Sequence, residues 1–373
     1  MIRLILLSLF PLISLLAVFR APTYRLWQLS IAVMEFPWVF VILTILLLCF
    51  GTSQYMRAGT IIGIAALVLF ISPVVRAYLV AAELNKNIEG SLGAGSSQPQ
   101  QAAFSFWKMI RGTRNKRTAY QSFVYSKTDS YSLSLDYYPS QISGKKPCVI
   151  VVHGGSWSAG DSKQLPELNS YLSQKGYNVA SINYRLAPQY LNPLPVQDVK
   201  AVIQYLKQHA NELNIDTNNF VLLGRSAGAQ IALLAAYTLH ETGLKGVIDF
   251  YGPADMVWGY SVPSNPLIMD SRKVMEDYLG GTYSKVPENY AASSPIEFVT
   301  KQSVPTLIIH GKQDVLVSYL HSVKLNKKLG ENGIKHFFLS LPWATHGFDY
   351  TLNGPAGQLS TYTIERFLKQ VTK

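Results

Sequence analysis

Ser226 is the residue of this 373-residue chain whose setting most strongly suggests chemistry. It is the centre of Gly224-Arg225-Ser226-Ala227-Gly228, between an apolar strand pattern and a helical pattern rich in Ala and Leu. A serine on such a strand-to-helix turn adopts strained backbone angles, and only Gly or another tiny residue fits two positions to either side. The free N–H groups at the start of the helix face the serine oxygen. We therefore predict a nucleophile; the simpler alternative is a Gly-containing turn with a surface serine.

His346 and Asp314 are predicted to activate this serine. A serine hydroxyl attacks only when an imidazole takes its proton and a carboxylate orients that imidazole and stabilises its cation. His346 follows the last predicted strand and precedes a Gly, and Asp314 lies in the loop after the preceding strand. The order serine, aspartate, histidine is the one used by sheets of this kind. Of the other histidines, His153 is expected to shape a neighbouring loop, and His310 to pack or form a hydrogen bond near the end of its strand.

Two further aspartates compete with Asp314 for the role of acid. Asp255 follows a strand and a Gly-Pro turn, which makes it the best alternative. Asp198 lies in the first turn of a predicted helix, where the dipole favours a carboxylate, so it is interpreted as structural. Asp314 is preferred because it follows a glycine turn one strand before His346.

Two consecutive glycines after a buried strand predict an oxyanion hole. The sequence there is His153-Gly154-Gly155-Ser156-Trp157. Backbone N–H groups of Gly154 and Gly155 can point into the site and join that of Ala227. Such donors bind charge that develops only in the transition state. A tight turn without this role is the alternative.

The elements that must position these residues alternate between strand and helix over residues 119–373. Strands are predicted at 120–125, 131–138, 147–152, 178–183, 220–223, 244–251, 305–310 and 336–341. Helices are predicted at 164–175, 195–210, 226–239, 318–329 and 359–371. Continuous buried strands between helices imply an α/β fold with a mainly parallel sheet, whose ligands bind beyond the C-terminal strand ends.

Residues 252–300 form a long insertion after one strand, with several aromatic, Met and Pro residues. Loops of this length are usually functional, so we predict a lid over the site. An apolar cover of this kind, with Trp157 and Phe348 as predicted pocket residues, suits an apolar acyl or alcohol group. The alternative is that the insertion packs on the protein surface without a role at the site.

Residues 1 to about 82 predict a membrane anchor. Three apolar runs, Leu4–Phe19, 31–50 and Ala58–Val75, follow one another almost without charge, and a crossing helix needs about 20 apolar residues. The first run could instead be a signal peptide, although its cleavage site is poor. With three crossings, the distribution of Lys and Arg favours a cytoplasmic catalytic domain.

Residues 83–118 are predicted to be a flexible linker followed by a basic juxtamembrane segment. The stretch 89–103 is rich in Gly, Ser and Gln, and aromatic residues and five basic residues follow it. That basic segment suits either an anionic lipid surface or a solvated lead-in to the first strand. Of the net charge of +11, the first 120 residues hold +8. A nucleic-acid binder would spread basic residues over a folded face, so that class is disfavoured.

Together these motifs resemble the α/β-hydrolase fold, and among its members the hormone-sensitive-lipase-like and feruloyl-esterase-like carboxylesterases. The resemblance covers residues from about 120 to 373 and includes Asn183-Tyr184-Arg185-Leu186-Ala187-Pro188. It implies Ser226 as nucleophile, His346 as base, Asp314 as its orienter, and Gly154, Gly155 and Ala227 as oxyanion donors. Many lipase-like members have a third Gly where Ser156 stands, so the substrate remains open. The membrane segments lie outside the resemblance.

The sequence therefore predicts a membrane-anchored serine carboxylester hydrolase that needs no metal or organic cofactor. The expected partners are membrane lipids and a small or medium apolar ester, with no nucleic acid. A serine peptidase or amidase with the same triad is one alternative. An inactive hydrolase-fold binding protein is another.

Overall fold

The computed structural model describes residues 9–49, 56–93, 102–112 and 117–372. Within these ranges the chain forms one eight-stranded sheet in the order β1-β2-β4-β3-β5-β6-β7-β8. The strands are β1 (Gln121–Lys127), β2 (Ser132–Tyr138), β3 (Lys146–Val152), β4 (Asn178–Ile182), β5 (Ile215–Arg225), β6 (Leu244–Phe250), β7 (Thr306–Gly311) and β8 (His336–Leu341). Strand β2 pairs antiparallel with β1 and β4, and all other pairs are parallel. The predicted mainly parallel sheet is confirmed.

Helices cover both faces of the sheet because strand side chains alternate between the faces. Cys148, Ile150 and Val152 of β3 belong to one buried cluster, whereas Val149 and Val151 belong to the other. The helices of the catalytic part are α5 (Pro166–Gln174), α6 (Leu194–Gln208), α7 (Ala227–Thr238), α8 (Met256–Ser261), α9 (Ser271–Leu279), α10 (Pro287–Ala292), α11 (Leu320–Glu331) and α12 (Pro355–Val371). Helices α6 and α7 pack in the first cluster, and α5 and α12 in the second.

The insertion at 252–300 is largely helical, whereas the sequence predicted a long loop without a regular pattern. It contains α8, α9, α10 and a 3₁₀ turn at Pro295–Phe298. Asp255 caps α8 by accepting the N–H of Trp258 at 2.9 Å, and Asp270 caps α9 in the same way through Lys273 at 3.1 Å. These caps fix the short helices over the carboxyl end of the sheet.

The N-terminal part differs from three crossing helices. Helix α1 (Tyr24–Glu35) and helix α2 (Pro37–Cys49) are bent by 87° at Phe36, and helix α3 spans Met56–Leu92. In the described part of the first apolar run, a 3₁₀ turn at Leu15–Ala17 has two buried residues. Within the described ranges, one helix is long and apolar enough to cross a membrane, or two if the bent pair counts as one. The cytoplasmic placement inferred from three crossings does not follow from this arrangement.

Helix α3 continues far beyond the predicted end of its apolar run. It passes through Pro73 and packs its second half on the catalytic part, where Leu84, Ile88 and Leu92 are buried. Glu89 Oε1 lies 3.0 Å from Nη2 of Arg366 in α12. Residues 83–92 are therefore helical, in contrast to the flexible linker predicted to begin at residue 83. The predicted linker residues 94–101 lie outside the described residues.

The basic segment is only partly within the described residues. Helix α4 (Phe106–Arg111) begins after Ser105, whose side chain accepts the N–H of Lys108 at 3.4 Å. Trp107 is 62% exposed, whereas Met109 is buried against the catalytic part. Two of the five basic residues of this segment, at positions 114 and 116, fall outside the described ranges.

Candidate active site

Ser226 occupies the turn between β5 and α7 in a strained conformation. Its φ is 52° and its ψ is −120°, a region that residues with a side chain rarely adopt. Its N–H donates to Phe250 O at 2.9 Å, which ties the turn to the end of β6. A Cβ at Gly224 would lie 2.3 Å from Gly228 O, and one at Gly228 would lie 2.2 Å from His153 O. Glycine is required at both positions, as the motif predicts.

The structure brings Asp314 and His346 together, although 32 positions separate them. His346 Nδ1 lies 2.7 Å from Asp314 Oδ2, and the two side chains are buried. The other carboxylate oxygen, Oδ1, accepts the N–H groups of Leu316 at 2.8 Å and Val317 at 2.9 Å. These bonds leave the carboxylate one orientation, with Oδ2 facing the imidazole.

His310 is a second imidazole on the same carboxylate oxygen. Its Nε2 lies 3.0 Å from Asp314 Oδ2, and its Nδ1 lies 2.7 Å from Ser322 Oγ. The sequence predicted that His310 packs or forms a hydrogen bond near the end of its strand, but it did not identify Asp314 as the partner. The signal was present: strand-end histidine and aspartate are four residues apart, on opposite sides of the Gly311 turn.

The charge state of Asp314 follows from these neighbours. Burial alone would raise its pKa, but the charge and hydrogen bonds of His346 and His310 outweigh burial and hold the pKa of Asp314 below its usual range. The carboxylate is thus ionised at neutral pH. An ionised carboxylate can hold the neighbouring imidazole with Nε2 free to accept a proton.

The competing aspartates have other partners. Asp255 caps α8, and its Oδ2 lies 2.5 Å from Nζ of Lys324. Asp198 accepts the backbone N–H of Arg185 at 2.9 Å and pairs with the Arg185 guanidinium at 2.7 Å. Neither carboxylate bonds to His346 among the contacts that the structure describes, and only Asp314 does.

The glycine loop after β3 lies against Ser226. A Cβ at Gly154 would lie 3.4 Å from Ser226 Cβ, and Gly155 has a φ of 121° that only glycine adopts readily. The N–H of Gly154, however, donates to Gln164 Oε1 at 2.8 Å. Of the three predicted oxyanion donors, Gly154 is therefore engaged by a side chain, whereas Gly155 and Ala227 remain candidates.

His153 is placed as a support of this loop. It is buried, it stacks on Tyr184 with ring centroids 4.3 Å apart, and its Nδ1 lies 2.7 Å from Gly154 O. Burial lowers the pKa of His153, which keeps the imidazole neutral. Its predicted structural role agrees with this position.

A cavity of about 400 Å³ opens beside Ser226 and Asp314. Its wall is mixed: apolar side chains from the insertion and from the loop after β7 alternate with polar ones such as Ser264, Asn265 and Ser318. The apolar members of this wall are Pro253, Val262, Pro263, Ile268, Met269, Val274, Met275, Val315, Leu316 and Val317. The insertion therefore covers the site, although as packed helices instead of an irregular loop.

The two predicted pocket residues have different positions. Trp157 lines the cavity, stacks on Tyr278 of the insertion at 4.6 Å, and donates its indole N–H to Gln230 Oε1 at 2.9 Å. Phe348 does not line it. Its ring is buried against Phe250 and Tyr251, at centroid distances of 5.9 and 5.2 Å. The prediction for Phe348 fails because the chain turns inward after Gly347.

A buried ion pair joins the loops of Ser226 and His346. Arg225 Nε donates to Asp349 Oδ2 at 2.5 Å, and both residues are 2% exposed. Asp349 also accepts the hydroxyl of Tyr251, whose ring lies 4.3 Å from that of His346. Sequence analysis missed this pair, because nothing in the local pattern indicates that residues 225 and 349 meet.

The N-terminal segment also reaches the site. Arg20, Ala21 and Pro22 line the same cavity as Ser226, and Trp27 Nε1 donates to His346 O at 3.0 Å. These residues precede the catalytic part by about 90 to 100 positions and were assigned to a membrane anchor. Within the described ranges, no group of three or more His, Cys, Asp or Glu side chains is arranged to hold a metal ion.

Comparisons with known proteins identify related sequences and folds. A family model described as BD-FAE matches residues 135–329. Esterase LipC of Mycobacterium tuberculosis (strain ATCC 25618 / H37Rv) is 30% identical over 242 residues, which cover 60% of this chain and 58% of LipC. The chain thus spans little more than half the length of this relative.

Solved structures share the fold. A truncated carbohydrate esterase from gut microbiota is 25% identical, with a TM-score of 0.56, and the match covers 69% of this chain and 100% of that one. A bacterial heroin esterase is 19% identical, with a TM-score of 0.60, and the match covers 72% of this chain and 88% of that one. The second likeness shows the fold alone. The α/β-hydrolase fold and the resemblance to its esterases, both predicted from sequence, are confirmed.

Proposed function

The chain belongs to the BD-FAE family, and from this premise we propose that it is a membrane-anchored serine hydrolase that cleaves carboxylic esters. The observation that carries the proposal is the contact of 2.7 Å between His346 and Asp314 beside a cavity that Ser226 lines. An oriented imidazole, an ionised carboxylate and a strained serine are the parts that acyl transfer needs.

The reaction proceeds in two halves. Ser226 Oγ attacks the ester carbonyl while His346 Nε2 takes its proton, and the carbonyl oxygen becomes an oxyanion held by the N–H groups of Gly155 and Ala227. The C–O bond to the alcohol then breaks, and the imidazolium returns the proton to the leaving oxygen. A water molecule attacks the acyl-enzyme with His346 as base, which releases the carboxylic acid and restores the serine.

The cavity supports a small or medium apolar substituent. Its volume of about 400 Å³ and its aliphatic and Met lining suit a short acyl chain or a compact alcohol. Such a group gains about 25 cal/mol for each Å² of apolar surface that it buries. The relative LipC is named an esterase, and we propose that this chain cleaves the same class of bond, a carboxylic ester.

Membrane attachment is supported by the surface of α2 and α3. Large apolar side chains remain exposed along both helices: Ile42, Leu43, Ile45, Leu46, Ile61, Ile62, Ile64, Val68, Ile71 and Val75. The helices pack closely, since a Cβ at Gly63 would lie 2.6 Å from Leu48 Cδ2. The part of α3 before Ala77, where the helix meets the catalytic part, is roughly 30 Å long, close to the hydrocarbon thickness of a bilayer.

The decisive experiment replaces the nucleophile. We expect Ser226→Ala to abolish hydrolysis of p-nitrophenyl acetate and butyrate by the full-length protein in detergent, with an unchanged melting temperature. Ser158→Ala, in an exposed turn of the glycine loop, is the matched control and retains activity. Turnover by the Ser226→Ala variant would reject the assignment.

Two alternatives have their own measurements. A peptidase or amidase would hydrolyse an anilide at a rate comparable to that of the matching ester. An inactive binding protein would leave Ser226 unlabelled by a fluorophosphonate probe. We expect labelling of the wild type and an ester rate that greatly exceeds the anilide rate.

A further inference from the structure

The N-terminal segment, residues 18–31, contacts three of the regions that surround the candidate active site. It runs from the end of the first apolar run through the first two turns of α1. Its contacts reach the loop that carries Asp314, the loop that carries His346, and the insertion. A segment that serves only as a membrane tether needs none of these contacts.

Two hydrogen bonds join this segment to the loop of the acid. Gln313 Nε2 donates to Val18 O at 3.0 Å, and Arg20 Nη2 donates to Lys312 O at 3.0 Å. Lys312 and Gln313 directly precede Asp314. The segment therefore holds the two residues that lead into Asp314, one through its backbone carbonyl and one through its side chain.

One hydrogen bond and an apolar contact join the segment to the loop of the base. The indole N–H of Trp27 donates to His346 O at 3.0 Å, and the two rings lie 6.5 Å apart. The next residue, Gly347, has a φ of 78°, and a Cβ there would lie 3.4 Å from Ile31 Cδ1. The indole thus fixes the backbone of the residue whose imidazole must face both Asp314 and Ser226.

The segment is also held by the insertion and forms part of the cavity wall. Tyr24 N–H donates to Leu267 O at 3.1 Å, and Asn265 Nδ2 donates to Pro22 O at 3.2 Å. Arg20, Ala21 and Pro22 line the cavity. Substrate therefore enters a space bounded partly by residues that lead directly into the helices of the anchor.

We propose that residues 18–31 are a working part of the active site and that Trp27 is a positioning residue for His346. This inference rests on the proposed function. Displacement of a catalytic group by about 1 Å can cost about a hundredfold in rate, so a bond that fixes the backbone of the base acts on turnover without touching substrate. Trp27 does not line the cavity, and its effect is expected in kcat instead of KM.

The test compares two tryptophans in the full-length protein in detergent. Trp27→Phe keeps an aromatic ring and removes the donor; Trp107→Phe changes an exposed tryptophan of α4 in the same way. We expect Trp27→Phe to lower kcat for p-nitrophenyl butyrate by about three- to tenfold with KM within twofold of the wild type, the size expected for one lost hydrogen bond. Trp107→Phe is expected to match the wild type. Equal kcat in the two variants would overturn the inference.

A second pair keeps the test decisive if Trp27→Phe lowers the melting temperature. Arg20→Met removes the donor to Lys312 O at an exposed position. Lys145→Met, the control, removes an exposed cation in the loop before β3, outside the segment, where Nζ donates to Asn211 Oδ1. We expect Arg20→Met to lower kcat/KM by at least threefold and Lys145→Met to leave it unchanged. Arg20→Met at wild-type activity would overturn the role of the segment.

These outcomes are distinct from a failure of the proposed function. A wild-type protein that neither hydrolyses esters nor reacts with the fluorophosphonate probe refutes the hydrolase assignment itself. An active wild type with variants that equal their controls refutes only the role of residues 18–31.

Discussion

Arg225, the residue before the candidate nucleophile, is joined to Asp349, three positions after the candidate base, by a bond of 2.5 Å. Both side chains are buried, and the two terminal guanidinium nitrogens have no partner among the described residues. The pair connects the loop of Ser226 to the loop of His346 across the carboxyl end of the sheet. A buried ion pair contributes little net stability, but removing one partner leaves an uncompensated charge.

This relationship predicts a non-additive pair of substitutions. Arg225→Met should lower the free energy of unfolding by about 3–5 kcal/mol, because Asp349 loses its cation inside the protein. Arg225→Met combined with Asp349→Asn should recover part of that loss, since the buried charge is gone. Chemical denaturation of the four proteins measures the coupling. Additive losses would show that the two side chains do not act as a pair.

The choice of acid predicts different effects at two aspartates. Asp314→Asn should lower kcat about a thousandfold or more, because an amide no longer holds the imidazole in the correct tautomer. Asp255 is the alternative acid. The kcat of Asp255→Asn should stay within about tenfold of the wild-type value, because the partners of Asp255 are the α8 N-terminus and Lys324. Steady-state kinetics with one ester ranks the variants. The reverse ranking would make Asp255 the acid.

The glycine loop predicts unequal costs for two alanine substitutions. A Cβ at Gly155 would lie 2.1 Å from Ala159 O at a φ of 121°, whereas at Gly154 the nearest atom, Arg225 O, is 3.1 Å away. Backbone strain of this kind costs about 1–3 kcal/mol before any clash is counted. Gly155→Ala should therefore lower the melting temperature clearly more than Gly154→Ala. Similar melting temperatures for the two variants would contradict this loop conformation.

Asp249 predicts a pH dependence of stability. It is fully buried in β6, and burial raises its pKa to about 7, while the N–H of Gly252 at 2.7 Å opposes that rise. Below the unfolded pKa of about 4, Asp249 is protonated in both the folded and the unfolded state, so its contribution to stability is fully present. Between about pH 4 and pH 7 the unfolded state loses this proton before the folded state does, and the contribution is lost. Asp249→Asn does not titrate. The melting temperature of the wild type relative to this variant should fall between about pH 4 and pH 7 and then level off.

The outcome of that comparison is direct. A difference in melting temperature that stays constant from pH 4 to pH 8 would mean that Asp249 keeps an ordinary pKa. If the wild type instead became more stable relative to Asp249→Asn as pH rises, the pKa of Asp249 would be lowered in the folded state, which would require a buried cation near it.

The exposed face of α3 predicts membrane attachment. Val68→Glu with Ile71→Glu should reduce flotation of the protein with liposomes, because each charge costs about 2.5–3.5 kcal/mol inside a bilayer. Leu320→Glu with Val323→Glu, at exposed positions with the same spacing in α11, is the matched control and should float as the wild type does. Equal flotation of both double variants would argue against attachment through α3.

The fold and the neighbourhood of the site were largely predictable. Eight strands were expected, and the described part of the chain contains eight, because buried apolar runs between helices and turn residues specify a parallel sheet locally. Ser226, Asp314 and His346 follow strands at the same sheet edge, so the topology alone brings their loops together. Gly154 lies beside Ser226, as its motif predicts. Its N–H, however, donates to Gln164 Oε1, a contact that the spacing of residues in the sequence does not reveal.

The N-terminal part was the least predictable. Three apolar runs predicted three crossings, yet a bend of 87° separates α1 from α2, and α3 passes through Pro73 to dock on α12. Hydropathy measures the composition of a segment and not what covers it. Leu84 and Ile88 are buried by protein, whereas Ile64 and Val68 are exposed on the same helix.

The sequence by itself determined the α/β fold and the residue types at the carboxyl edge of the sheet, because strand periodicity, glycine turns and the Gly-x-Ser-x-Gly spacing act within a few residues. Only the tertiary structure decided that Trp27 bonds to His346, that Arg20 lines the cavity beside Ser226, and that Arg225 pairs with Asp349. The first two contacts join positions about two to three hundred residues apart, and the third joins positions 124 apart. Contacts at such separations depend on how whole elements pack, which no local pattern encodes.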